Sequence, residues 1–315
     1  MKPLSVGTRL FLSIMAIFVA LVIVFLAYLR FDESLSSTIR NDAIFLWFAI
    51  ALAVVLVVVL LWYSRKMDNS LARAASEENA QMRRQLTQNI SHELKTPVAS
   101  IQGYLETILA NPEMPLETKR KFLERSLVQT QRLTTLLRDI AALNRLDEAT
   151  RKEGKSLNNQ AALLYPFGRI DIAQTLSQLQ RETALAFQTR NMTLVYNTPE
   201  TIDINGNGNV IYSIFRNLID NALAYAGNGT TVSVTAHLEG THWHFTVADN
   251  GPGVPAQHLK RIFERFYRID KGRSRASGGT GLGLSIVKNG VILHGGTITA
   301  SNANPGLRYD FTLHR

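Results

Sequence analysis

The chain has 315 residues, no cysteine, 34 Lys plus Arg against 25 Asp plus Glu, and a formal net charge of +9. That length suggests about two domains, and the lack of cysteine excludes a disulfide framework, thiolate-bound zinc or iron–sulfur centres and cysteine nucleophiles. The apolar residues are unevenly spread: Leu10–Leu29 is a run of 20 residues without a charge and Ala43–Ser64 a run of 22. Each meets the ~20 residues that a helix needs to cross a bilayer, so the chain is expected in a membrane. The first run is long and lacks a small-residue cleavage site, which reads as a span and not as a secretory signal.

Residues 1–64 are therefore predicted to form a membrane α-hairpin with two transmembrane helices, over 10–29 and 43–64. Lys2 and Arg9 precede the first span, while Arg65, Lys66, Arg73, Arg83 and Arg84 follow the second. The segment between them holds Arg30 and Arg40 against Asp32, Glu33 and Asp42. The excess of basic residues puts both termini in the cytoplasm, and Tyr28, Trp47, Trp62 and Tyr63 sit near span ends where amphipathic rings prefer the interface. The 13 residues Arg30–Asp42 are too few to bury a core, so no outer ligand-binding domain is expected. Residues 64–315 carry 30 basic and 22 acidic residues. Anionic membrane lipid beside that cytoplasmic face accounts for the excess; the charges are scattered without a base-reading motif, so no direct nucleic-acid contact is expected.

From Ser64 the chain has no Gly or Pro until Pro97 and many good helix formers, so 65–85 is expected to continue as a signal helix or linker. Leu86, Ile90, Leu94, Val98, Ile101, Leu105 and Ile108 repeat at three and four residues and mark a core-facing stripe. Asn111-Pro112-Glu113-Met114-Pro115 breaks the helix, and a second periodic run follows from Leu116 through Leu133, Leu137 and Ile140 to Leu146. A hairpin over 86–150 cannot bury both stripes alone, so dimerisation into an all-α four-helix bundle is expected. His92 lies about 175° from the centre of the first stripe and faces solvent, with Thr96 one turn on and Glu93 beside it. Pro97 cannot donate to the carbonyl of Glu93, which weakens the helix next to the histidine. An exposed imidazole beside a carboxylate can be held in one tautomer and used as a nitrogen nucleophile.

Residues 151–168 are mixed, polar and turn-rich and are expected to form a linker. Over 169–315 the pattern alternates: a helix over Ile170–Thr189, a strand over Thr193–Asn197, a helix over Val210–Ala226, and a hairpin of Thr230–Leu238 and Thr241–Ala248 turning at Glu239-Gly240. That mixture indicates an α/β sandwich. Asn217 and Asn221 are four apart on one flank of the central helix, and their amide oxygens suit a hard cation such as Mg²⁺. Asp249-Asn250-Gly251-Pro252-Gly253 ends a strand in a turn, leaving Asp249 at the sheet edge as an acceptor for an exocyclic amine. Gly278-Gly279-Thr280-Gly281-Leu282-Gly283 leads into an apolar helix over Leu284–His294, where glycines and a helix N-terminus let backbone N–H groups approach phosphate. No Lys-Ser or Lys-Thr follows, so this is not a P-loop.

Ile90-Ser91-His92-Glu93-Leu94-Lys95-Thr96-Pro97-Val98 resembles the phospho-acceptor box of sensor histidine kinases. The Asn, Asp-x-Gly-x-Gly and glycine-rich elements, in that order, resemble the N, G1 and G2 boxes of that family's Bergerat-type (GHKL) ATP-binding domain, and Ile262-Phe263-Glu264-Arg265-Phe266-Tyr267-Arg268 resembles its F box. The resemblance covers roughly residues 80–315. It implies ATP as phosphoryl donor and Mg²⁺ held by Asn221, with Asn217 on the phosphate side, Asp249 reading adenine and Tyr225 packing beside the base. It also implies a lid framed by Gly279, Thr280, Gly281, Leu282 and Gly283, and Arg268 compensating phosphate charge. Ala224 stands where the family often has a basic residue, which shifts that duty toward Arg265, Arg268 or Lys271.

By the same resemblance His92 takes the γ-phosphoryl group, Glu93 orients the other ring nitrogen, and Thr96 positions water for dephosphorylation. The implied protein is a homodimer in a bacterial cytoplasmic (inner) membrane. It passes the phosphoryl group to an aspartate of a separate response regulator and acts as its phosphatase; the alternative is a phosphatase-biased or non-catalytic scaffold that binds a regulator. The short outer loop and the 22 residues of 64–85 leave no room for a usual linker module, so the signal is expected within the membrane or from a membrane sensory partner. His237, His242 and His244 are expected on one solvated strand face with no carboxylate near. His294, before Gly295-Gly296, reads as a structural residue at a helix end that favours a cation.

Overall fold

A computed structural model of the chain describes residues 37–150, 165–269 and 279–315, with residue 23. They divide into two compact units, 1–85 and 86–315. In the first unit the described residues from Ser37 belong to helix α1 (Ser37–Ala110). Among the described residues no helix is long and apolar enough to cross a membrane; about half of the side chains of 43–64 belong to that set. The expected span 10–29, apart from Ile23, and residues 151–164 of the linker expected over 151–168 lie outside the described residues; Gly168 already opens the first strand.

In the second unit, the C-terminal part of α1 and helix α2 (Leu116–Thr150) form the expected hairpin. Asn111 ends α1 by donating its amide to Thr107 O at 2.8 Å, and Met114 N closes the turn onto Asn111 O at 3.0 Å. Tyr104 and Phe122 join the two helices with ring centroids 5.6 Å apart. Leu109, Leu116, Leu123, Leu127 and Leu137 remain exposed. Leu136, Leu143 and Leu146, on the opposite side of α2, are buried to 3% exposure or less. They form part of one core with the α/β domain that follows. The α2 stripe read from the sequence thus splits: Leu137 is exposed, Leu133 and Ile140 are half-buried, and Leu146 belongs to the second apolar face.

That domain is the expected α/β sandwich. Strands β1 (Gly168–Asp171) and β3 (Asp203–Gly206) pair antiparallel as a small ribbon. Strands β2 (Thr193–Asn197), β4 (Thr231–Glu239), β5 (His242–Asp249), β6 (Ile298–Asn302) and β7 (Leu307–His314) form a sheet of order β2-β4-β5-β7-β6, parallel at β2–β4 and antiparallel elsewhere. Helices α3 (Ile172–Thr189), α4 (Gly208–Tyr225) and α5 (Gly283–Leu293) complete it. Alternation along β5 and β7 sends Trp243, Phe245, Val247 and Leu307, Tyr309, Phe311, Leu313 into the core. Phe215 of α4 meets Phe245 edge-on at 5.3 Å, and Phe245 stacks on Phe311 at 5.1 Å, a geometry worth about 1 kcal/mol per pair beyond area burial.

The helix expected from Ile170 starts two residues later. Asp171 is extended and caps it, its Oδ1 accepting from Ala173 N and from Ile202 N, both at 3.0 Å. His294 is structural, as expected, but the helix-end cation is not what it supplies. It is 3% exposed, its Nδ1 bonds Gly290 O at 2.7 Å, and its Nε2 accepts from Asn207 N at 3.0 Å. Burial lowers its pKa below the ordinary histidine value, opposed by the Gly290 bond; the ring is a neutral strut and not a helix-end cation. The folded state therefore takes up that proton less readily than the unfolded chain, so stability falls as pH drops from the unfolded value of about 6.5 through the lower folded one. Melting scans between about pH 7.5 and pH 5.5 should show a smaller loss of Tm in His294→Gln than in wild type, although the variant starts lower.

Candidate functional site

The histidine box sits on the exposed side of α1. His92 is exposed, and Pro97 lies inside the helix with its ring buried. Pro97 has no N–H for the Glu93 carbonyl, and around that gap hydroxyls bond back to the backbone. Thr96 Oγ1 donates to His92 O at 3.3 Å, and Ser100 Oγ donates to Thr96 O at 3.0 Å. Thr96 is thus one turn from His92 and exposed beside it, as its position predicts. The Glu93 carboxylate is held by two guanidiniums: Arg132 of α2 at 3.7 Å and Arg268 at 3.4 Å.

The second cluster lies at one end of the sandwich. Asn207 caps α4, its Oδ1 accepting from Val210 N at 3.1 Å, and the helix carries Asn217 and Asn221 on one flank. Asn217 Nδ2 donates to Ser213 O at 2.7 Å, and a Cβ on Gly283 would come within 2.6 Å of Asn217 Oδ1. Asn221 Nδ2 donates to the Tyr309 hydroxyl. Both amide nitrogens are thereby committed inside the domain, and the carbonyl oxygens are the ends left for a cation. Asp249 ends β5. Its Oδ1 accepts from Gly251 N at 2.9 Å and Leu307 N at 3.3 Å, which fixes the carboxylate at the end of the central strand, between β4 and β7, and not at the sheet edge that was expected. Gly251 follows because a Cβ there would meet Ala226 O at 2.5 Å, at the end of α4. Gly253 has φ +70 and turns the chain away. Tyr225, the last residue of α4, is 46% exposed.

Tyr309 was not foreseen. It is 3% exposed on β7, opposite Val247. Burial, then the Asp249 charge, push its hydroxyl far above the ordinary phenol range, opposed by Asn221. It therefore stays a neutral hydroxyl that ties the Asn221 amide to the Asp249 end of the site. The sequence signal was the Leu-x-Tyr-x-Phe-x-Leu alternation of β7, which points Tyr309 inward but names no polar partner.

The glycine-rich segment is described from Gly279; Gly278 and Lys271 lie outside the described residues. Gly281 has φ +74, and Phe266 N donates to its carbonyl at 2.8 Å. A Cβ on Gly281 would meet Phe266 Cα at 3.0 Å, so only glycine allows the F box and the lid to touch here. Leu282 precedes Gly283, the first residue of α5. Thr280 Oγ1 donates to Asp139 of α2 at 2.7 Å, and burial raises the Asp139 pKa against that bond. Arg265 donates to Asp147 at 2.6 Å, and Asn289 to the same oxygen at 2.8 Å. Arg268, with a 7% exposed side chain, donates to Gly279 O and Glu93. The guanidinium assigned to phosphate thus bridges the lid to the histidine box in this arrangement. Asp139, Asp147 and Arg132 were missed because they are ordinary charges on a long amphipathic helix, and only the fold gives them partners 118 to 142 residues away in the case of the two aspartates.

Comparison with known proteins finds the same two parts of the chain. Residues 82–149 match the His Kinase A (phospho-acceptor) domain, and residues 206–315 match the histidine kinase-, DNA gyrase B- and HSP90-like ATPase. The chain is 34% identical over 239 residues to the sensor-like histidine kinase SenX3 of Mycolicibacterium smegmatis, covering 75% of this chain and 59% of that one. It is 34% identical to the signal transduction histidine-protein kinase BaeS of Escherichia coli (75% and 47% covered). It is 33% identical to the phosphate regulon sensor protein PhoR of Pseudomonas aeruginosa (74% and 50%). The chain thus spans about half the length of the curated relatives it matches. Among solved structures, the Acinetobacter baumannii histidine kinase AdeS shares the fold with a TM-score of 0.56 at 20% identity, covering 71% of this chain and 97% of that one. The histidine kinase ThkA, solved in complex with the response regulator protein TrrA, has a TM-score of 0.56 at 19% identity (73% and 61%). With a phospho-acceptor hairpin and an ATPase sandwich in tandem, the chain belongs to the family of sensor histidine kinases.

Proposed function

We propose that the chain is an ATP-dependent protein-histidine kinase that phosphorylates its own His92 and passes the phosphoryl group to an aspartate of a separate response regulator. The observation that carries this reading is the contact of Arg268 with both Gly279 O and Glu93: the lid of the nucleotide domain lies against the residue next to His92. The oxygen of Asn221, with that of Asn217 one turn before it, would hold Mg²⁺, a hard cation that takes oxygen ligands, and bound there it would neutralise charge developing on the phosphates. The residues of the chain do the rest by positioning. Asp249 accepts from the exocyclic amine of adenine, Tyr225 packs beside the ring, and Gly279, Thr280, Gly281 and Gly283 present backbone N–H groups to the phosphates, while Leu282 N donates to Thr280 Oγ1 and holds the turn. His92 Nε2 forms the bond to the γ-phosphorus as the bond to the β-bridging oxygen breaks. Glu93 exchanges Arg132 and Arg268 for the Nδ1–H of His92 and takes up its proton. Since lid and box belong to one chain, this arrangement supports transfer within a chain.

The homodimer belongs to the same reading. Leu109, Leu116, Leu123, Leu127 and Leu137 are exposed on the hairpin, and a second copy completing a four-helix bundle would cover such a face. Anchoring through 10–29 and 43–64 in a cytoplasmic membrane, with both termini inside, is supported by their uncharged length. It is also supported by the exposure of Ile50, Leu52, Val54, Val58 and Leu61, and by Lys66 Nζ lying 5.0 Å over Trp62, an interfacial pairing. Sensing within the bilayer, or through a membrane partner, follows from the short outer loop.

The test is transfer of label from γ-labelled ATP to the full chain in membranes. Acid-labile, alkali-stable label on the chain supports the reading. ATP binding without label, or no ATP binding, overturns it in favour of a scaffold, and hydrolysis without phosphohistidine favours a mechanical ATPase. Thr96→Ala is expected to keep autophosphorylation within about twofold, because its hydroxyl returns only to the helix backbone, while dephosphorylation of the regulator falls about 100-fold, at the low end of what a lost positioned proton carrier costs. Decay of phosphorylated regulator with and without the variant measures it.

A further inference from the structure

Four of the seven histidines of the chain lie on one face at one end of the sheet. His237 of β4 stands opposite His244 of β5, Glu239 opposite His242, and His242 opposite His314 of β7. Because side chains alternate along a strand, these positions share the face opposite the one on which Trp243, Phe245 and Leu313 enter the core. The His237 and His244 rings stack with centroids 5.2 Å apart, and His242 meets His314 edge-on at 5.1 Å. The expectation of a face without a carboxylate fails here: Glu239 ends β4 and reaches diagonally across, placing its Oε2 3.3 Å from His244 Nε2.

Ligand-type atoms of His237, Glu239 and His244 all lie within 4.8 Å of one another. Two ligands at 2.0–2.1 Å from a tetrahedral Zn²⁺ are about 3.4 Å apart, the separation already present between Glu239 and His244. Closing the third side needs only rotation of the exposed His237 side chain, since paired strands hold the Cβ atoms in register. Two imidazoles and one carboxylate suit a borderline cation, whereas Mg²⁺ prefers an all-oxygen set. This set shares no residue with the nucleotide cluster.

We propose that His237, Glu239 and His244 form a binding site for a Zn²⁺-class divalent cation on the outer face of the β4–β5 hairpin, with the fourth position open to water. The site is independent of the kinase reading. It is tested on the full chain, without a polyhistidine tag and reconstituted in lipid discs, by calorimetric titration with ZnCl₂ and separately with MgCl₂. One Zn²⁺ per chain with a Kd of roughly 10 μM, corresponding to about −7 kcal/mol, is expected, and no matching Mg²⁺ isotherm. Glu239→Gln should weaken Zn²⁺ roughly tenfold, the double variant His237→Ala/His244→Ala should abolish the isotherm, and His92→Gln should leave it unchanged. Absence of Zn²⁺ binding, or an unchanged isotherm in the double variant, overturns the proposal. Because loss in a variant can also follow from misfolding, Co²⁺ titration of the wild type provides a second reading. Intense visible d–d bands indicate a four-coordinate site and support it; weak octahedral bands alone overturn it.

Discussion

In a chain carrying His92→Gln, label from γ-labelled ATP is expected to disappear entirely while ATP affinity stays within about twofold of wild type. Glutamine keeps the length and polarity of the side chain but has no nitrogen lone pair able to attack phosphorus. His92 is exposed and its side chain lies on α1, outside the nucleotide cluster, so its loss should leave both folding and the ATP site intact. The readouts are label retained after alkaline washing and fluorescence titration with a nucleotide analogue. Label persisting in the variant would move the acceptor to another residue and remove the role assigned to the box. Loss of both label and nucleotide binding would instead make His92 a structural residue.

The second large effect belongs to Asp249. Asp249→Ala removes an acceptor from Gly251 N and Leu307 N at once, and each buried donor left without a partner costs about 1–3 kcal/mol. The domain should lose several degrees of Tm, and ATP affinity should fall at least ~100-fold, or about 2.7 kcal/mol. Asp249→Asn separates the two roles. Its Oδ1 still accepts from both backbone donors, so Tm should move little, but its NH₂ faces the adenine amine donor to donor and affinity still falls about tenfold or more. An Asn variant that binds ATP like wild type would show that this carboxylate shapes the turn and does not read the base.

The sequence made the hairpin, the sandwich and the main boxes legible because each is a local pattern. Alternation marked β4 and β5, the three-and-four repeat marked α1 and α2, and glycines flanked by a helix marked the lid. Strands β1 and β3 were not legible: GRID and DING are four residues long and too short to show alternation. β7 carries a clear alternation, yet the role of Tyr309 depends on a helix 88 residues away. The same holds for Arg268, to which the resemblance gave phosphate while the fold pairs it with Glu93, 175 residues earlier. His294 is the structural residue it reads as, but the cation expected of it fails because a helix end favours a cation only where water or an acidic partner receives it, and here burial disfavours the charge. Long-range polar pairing is a property of topology, which no spacing along the chain encodes.

The bare leucines of the hairpin carry a consequence for how the molecule behaves in numbers. Mass action links folding to self-association wherever an apolar face is covered only by a second copy. Melting temperature should then climb with protein concentration in detergent. Under the proposed membrane anchoring and homodimer, the governing variable becomes copies per unit of membrane area, and the abundance of the protein sets the fraction of hairpins that are assembled before any stimulus arrives.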